Sequence, residues 1–111
     1  MAANKGKRQV SDDSPRIEYS GFKDFEKVEM VQVQSAAEAF VEKVVGHGLG
    51  ITRLSVRLKS IHKVGNNQKF EVHVELNARK GTRAAGETDK NIFKALDLSF
   101  KKLMYEVTKN R

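Results

Sequence analysis

Hydrophobic and polar positions alternate most cleanly between residues 51 and 77. In Ile51-Thr-Arg-Leu-Ser-Val-Arg-Leu-Lys-Ser60, Leu54, Val56 and Leu58 alternate with Arg53, Ser55, Arg57 and Lys59. In Lys69-Phe-Glu-Val-His-Val-Glu-Leu-Asn77, Phe70, Val72, Val74 and Leu76 alternate with polar residues. A period of two marks a strand with one dry and one wet face. Gly65-Asn-Asn67 supplies a turn between them, so the pattern predicts an antiparallel hairpin. Ile17 and Tyr19 alternate in the same way within Arg16–Phe22 and predict a short first strand. Arg79-Lys-Gly81 reads as a second turn, leading to a short fourth strand over Thr82 to Ala85.

Two segments change to a helical period. Met30, Val33, Ala37, Phe40, Val41 and Val44 recur at spacings of three and four, with Glu38, Glu42 and Lys43 outside. Gly46, Gly48 and Gly50 stop this helix. A glycine run after a helix is a stop signal, whereas phosphate-cradling loops precede one. Near the C-terminus, Ile92, Leu96, Ser99, Phe100, Leu103 and Val107 form an apolar stripe flanked by Phe93 and Met104. Gly86-Glu-Thr88 opens this helix, with Thr88 or Asp89 as the N-cap.

The predicted order is β-α-β-β-β-α. The two amphipathic helices are the only cover available for the apolar face of the sheet. The fold class is therefore α+β: a two-layer sandwich, a four-stranded mixed sheet with two helices on one face. The β-α-β opening predicts parallel first and second strands joined by a right-handed crossover. Residues 1–15 show no apolar period, and Ser11-Asp-Asp-Ser-Pro15 ends in the single proline. They are read as a disordered N-terminal tail preceding one domain over 16–111.

Composition narrows the chemistry. The chain lacks cysteine, which excludes disulfides, thiol nucleophiles and Cys-ligated metals. No apolar run reaches the roughly 18 residues of a membrane span, and the N-terminus carries no secretory h-region. His47, His62 and His73 have no metal-ligand spacing. Glu71 and Glu75 are read as cross-strand partners of Arg53, Arg57 and Lys59. Walker A, GxGxxG and Gly-x-Ser-x-Gly motifs are absent from the sequence. The expectation is a protein that is not an enzyme, with no cofactor, metal or small-molecule substrate.

Charge points to a partner. The net charge is +7. Residues 16–50 carry −2, residues 51–87 carry +5 and residues 88–111 carry +3. A field confined to part of a molecule steers an anionic partner to it. Three groups of bases are candidate RNA contacts: Arg79, Lys80 and Arg83 around the second turn; Lys90, Lys94, Lys101, Lys102, Lys109 and Arg111 along the last helix; and Arg53, Arg57 and Lys59 on the wet strand face. Tryptophan is absent and most Phe residues lie on apolar stripes. Recognition of backbone and shape in folded RNA therefore fits better than stacking of single-stranded bases.

The run Phe70–Asn77, the turn at Arg79-Lys-Gly81, then Ala84-Ala-Gly-Glu-Thr-Asp-Lys-Asn-Ile-Phe-Lys-Ala-Leu96 and Lys101-Lys-Leu103 resembles the ribosome hibernation-promoting factor family (ribosome-associated inhibitor A, or protein Y). The resemblance covers residues 16–111. It implies the same β-α-β-β-β-α order and binding to the small ribosomal subunit and its rRNA, in the channel used by mRNA and tRNA. It implies a block of translation in stress or stationary phase, in the cytoplasm, by a short form lacking the domain that pairs ribosomes. Lys101, Lys102 and Lys109 match the family's basic run. The first helix departs from it, carrying Glu29, Glu38 and Glu42 where the family is usually basic. The free chain is expected to be a monomer that does not bind membranes. Two other readings stay open: a generic structured-RNA-binding domain, or a basic module that docks an acidic protein.

Overall fold

The structure, a computed structural model, describes residues 15–65 and 67–109, of which 60, 62 and 64 by backbone alone. Six elements follow in order: β1 (Arg16–Ser20), α1 (Lys27–Val45), β2 (Ile51–Val64), β3 (Asn67–Ala78), β4 (Gly81–Asp89) and α2 (Ile92–Lys109). They form one mixed sheet in the order β1-β2-β3-β4. β1 runs parallel to β2, and the other two pairings are antiparallel. The predicted order, fold class and parallel opening are those observed.

Alternation along the strands decides which side faces the helices. Leu54, Val56 and Leu58 of β2 and Val72, Val74 and Leu76 of β3 are buried. They meet Val33, Ala37, Phe40, Val41 and Val44 of α1 and Ile92, Ala95, Leu96, Phe100, Leu103 and Val107 of α2. Burying a side chain of this kind contributes about 1.5–3 kcal/mol, so the sheet and helix layers hold together through these stripes. Ser99 is buried among them, and its hydroxyl donates to the Ala95 carbonyl at 2.7 Å.

Three boundaries differ from the periodicity. α1 begins at Lys27, three residues before Met30, where the apolar stripe starts, and Glu29 Oε1 accepts from the N–H of the N-cap Glu26 at 2.9 Å, satisfying an N-terminal donor. β4 does not stop at Ala85. It continues to Asp89, which pairs with Phe70. Ala84-Ala-Gly86 is too small to show alternation, and the cross-strand register extends the strand where local pattern gives no signal. Consequently α2 starts at Ile92, and its N-cap is Asn91 rather than Thr88 or Asp89. Asn91 Oδ1 accepts from the N–H groups of Phe93 (2.8 Å) and Lys94 (3.2 Å). Asp89 instead accepts from the Asn91 N–H at 3.0 Å and fixes the turn before the helix.

The strands differ in reach. β1 pairs only with Arg53–Arg57 of β2, and β4 only with Phe70–Ala78 of β3. Residues 61–64 and 67–69 therefore form a two-stranded ribbon beyond both neighbours, with Gly65 at its turn in the left-handed region (φ 62°). A shift in register between Leu58 and Ser60 marks where the ribbon begins.

Candidate nucleic-acid interface

The proposed bases are divided by the sheet. Arg53, Arg57 and Lys59 project from the side opposite the helices, because each lies out of phase with the buried Leu54, Val56 and Leu58. Two of them already have acid partners. Arg53 lies 3.5 Å from Glu18 and donates to Asn77 Oδ1 at 3.0 Å. Lys59 lies 3.9 Å from Glu71. Arg57 is exposed and has no ion pair among the described residues. Strand alternation alone matches Arg53 to Glu71 or Glu75; its acid in the structure is Glu18, across the parallel β1–β2 pair.

The helix-layer bases are also divided. Lys101 is bound to Asp97 one turn earlier (3.2 Å) and Lys109 to Glu106 (3.1 Å), with the Lys109 ammonium 5.6 Å from the Tyr105 ring centre. Lys102 reaches across to β4, where it pairs with Glu87 at 3.0 Å and donates to the Gly86 carbonyl at 3.4 Å. The Lys102 hydrogen bond, with help from the Thr88 N–H, holds the Glu87 carboxyl below its ordinary range. Lys90 is not on the helix; it sits in the turn before Asn91. Lys94 lies in the first turn of α2 and is exposed. Neither Lys90 nor Lys94 has an ion pair among the described residues. Arg111 and residues 1–14 of the expected 1–15 tail lie outside the described residues.

Around the second turn, Arg79 and Lys80 are exposed, with no ion pair among the described residues. The Arg79 N–H donates to the Gly50 carbonyl at 3.0 Å, and its side chain lies against Gly50, so the β3–β4 turn is braced against the start of β2. Arg83 behaves differently. It pairs across from buried Leu76, which places it on the helix side, and its Nε donates to the Glu106 carbonyl at 3.3 Å. It is half-buried, and not the outward-reaching base that its neighbours in sequence suggest.

Among the described residues, Arg57, Arg79, Lys80, Lys90 and Lys94 are thus the candidates that can take phosphate without breaking an ion pair. Sequence reasoning missed Lys43. It lies on α1 and lines, with Lys101 of α2, a groove floored by Phe93, Phe100 and Met104. Only the packing of α1 against α2 brings those two ammonium groups to one groove. Among the described residues, no three His, Asp or Glu side chains come together as a metal site needs. No helix among them is long and apolar enough to cross a membrane.

Residues 27–111 match the family model for Sigma 54 modulation protein / S30EA ribosomal protein. No curated protein sequence matches the chain. Among solved structures, the fold is similar to a ribosomal subunit interface protein from Coxiella burnetii, with a TM-score of 0.58 and 15% identity over 86% of this chain and 96% of that one. It is similar to the N-terminal domain of Thermus thermophilus Protein Y, with a TM-score of 0.58 and 12% identity over 88% and 99% of the two chains.

Proposed function

Because the chain belongs to the Sigma 54 modulation / S30EA ribosomal protein family, that of the hibernation-promoting factors, we propose that it binds the small ribosomal subunit in the mRNA and tRNA channel and blocks translation there. The mechanism is occlusion. A compact slab with cations at its margins occupies the channel, and neither mRNA nor tRNA enters while it stays. Chemistry on a substrate is no part of this action. Stress or stationary phase is when such a block serves a cell, and the cytoplasm is where ribosomes meet it.

The observation that carries the reading is the family match over residues 27–111. Arg57, Arg79, Lys80, Lys90 and Lys94 support it as the first rRNA contacts, since each meets a phosphate at no cost in ion pairs among the described residues. Arg53, Lys59, Lys101, Lys102 and Lys109 join by exchanging an acid partner for a phosphate, and Arg83 by leaving the Glu106 carbonyl. Phosphate contacts of this kind supply affinity and register rather than base recognition.

Sucrose-gradient cosedimentation tests the proposal. The protein should travel with small subunits and whole ribosomes at low salt and be displaced by initiator tRNA with mRNA. With about six phosphate contacts, the log–log salt slope on duplex-like RNA should be near −5. Failure to travel with either particle at low salt refutes ribosome binding. Binding that tRNA and mRNA do not displace refutes the channel.

A further inference from the structure

The outer edge of β4 has no neighbour among the described residues, and nine residues of strand end the sheet there. An unpaired edge of that length without proline is a template for another strand. We propose that this edge pairs with the same edge of a second copy of the chain, giving an eight-stranded sheet with all four helices on one side.

The self-complementarity of β4 carries the inference. Its sequence is Gly81-Thr-Arg-Ala-Ala-Gly-Glu-Thr-Asp89. Antiparallel pairing about a two-fold axis at Ala85 aligns all nine residues. Arg83 then falls opposite Glu87 of the second copy, twice, and Thr82 falls opposite Thr88. Arg83 and Glu87 both pair with buried β3 residues, Leu76 and Val72, so both stand on the helix side and face each other there. Thr82 and Thr88 stand together on the open side. Opposite charges and threonines directly across an antiparallel pair are favourable, and a contact that matches a patch to itself closes as a dimer. Ala84 opposite Gly86 leaves no bulky side chain to hold the two backbones apart.

Charge selects this partner over an anionic one. Beside the edge runs a shallow groove lined by Ala84, Ala85, Leu98 and Tyr105, with Lys101, Lys102 and Glu106 around it. In a chain of net charge +7, this strip is close to neutral. Lys101 is held by Asp97, Lys102 by Glu87 and Lys109 by Glu106, and Arg83 donates to a carbonyl. RNA or an acidic peptide would find its free cations elsewhere. A second copy brings Glu87 to Arg83 and lays its own Tyr105, 64% exposed here, along the same strip. The pairing departs from the monomer that the sequence alone suggests, and it does not depend on ribosome binding.

Sedimentation velocity of the full chain, treated with nuclease, tests it up to about 1 mM, where even weak edge pairing is populated. The protein should shift from monomer to dimer as concentration rises. R83E and E87R should each raise the dissociation constant at least tenfold. An equimolar mixture of the two variants should form a heterodimer, because both 83–87 contacts of the mixed pair join Glu to Arg, whereas each variant alone sets like charges opposite each other; its formation shows that both variants are folded. The double variant R83E/E87R should dimerise as the original does. A monomer at every concentration, a dimer lost on nuclease treatment, a dimer indifferent to both reversals, or no heterodimer on mixing would each overturn the proposal.

Discussion

Phe40 of α1 and Phe100 of α2 stack with ring centres 4.8 Å apart and planes 17° from parallel. The two rings join the helices above the sheet, and both are almost fully buried. Phe100→Ala removes the stack and opens a cavity. It should cost about 3–5 kcal/mol, a fall in Tm of at least ~12 °C in a domain this size, read by thermal melting.

Gly21 follows β1 with φ +86°, and a Cβ there would run into the Leu58 carbonyl oxygen. The strand thus leaves the sheet only because no side chain intervenes. Gly21→Ala should destabilise by about 1–3 kcal/mol from backbone strain alone, and by more once Leu58 has to move. Gly48→Ala supplies the control. It shares a positive φ of 67° but has nothing within 4 Å, so it should cost about 1 kcal/mol. Urea denaturation midpoints of the two variants should differ accordingly.

Asn91→Ala should cost about 1 kcal/mol through loss of the two N-terminal hydrogen bonds of α2. Thr88→Ala should cost less than about 0.5 kcal/mol, as expected of an exposed position away from a cap. Equal losses in chemical denaturation would contradict the cap assignment.

Two groups give stability an opposite dependence on pH. Glu87 is held below the ordinary value of 4.5, so its contribution is complete above that value and disappears as pH falls through the lowered one. Tyr19 is pushed up from 10.0 to about 12, by burial first and by Glu38 second. Its contribution is complete below pH 10.0 and disappears as pH rises toward about 12. Glu87→Gln should flatten the acid side of a stability profile, and Tyr19→Phe the alkaline side. Absorbance at the tyrosinate band should show one residue ionising near pH 12.

Arg79 and Lys80 lie in one exposed turn with no acid partner among the described residues. Reversing both charges should weaken ribosome cosedimentation. The salt slope should shrink in magnitude by about 2, near 0.9 for each phosphate that is no longer neutralised on duplex-like RNA. Thermal stability should stay within about 0.5 kcal/mol.

The layers and strand order were legible because Leu54, Val56, Leu58, Val72, Val74 and Leu76 announce both a period and a face. The end of β4 was not. Ala84, Ala85 and Gly86 are too uniform for any period, and only pairing with Glu75, Val74 and His73 keeps them extended. The candidate site was legible in part for a related reason. Sequence identifies a lysine, but whether its charge is spent depends on neighbours brought by the fold. Lys101 and Asp97 are four apart on a helix and could be paired by inspection. Lys102 and Glu87 meet only through the register of β4 beneath α2. Arg83 turns toward α2 because β4 alternates in phase with Leu76, which no local rule near residue 83 states.

The ribbon beyond β1 and β4 has its own consequence. Along residues 61–64 and 67–69 each backbone has one strand partner instead of two, and a lone pair of strands is marginal in water. Hydrogen exchange should therefore be fastest there within the sheet, ahead of global unfolding, and a protease nick at Gly65 should leave the remainder standing. The ribbon is then the first part of the sheet expected to yield, while the strands paired on both sides keep their form.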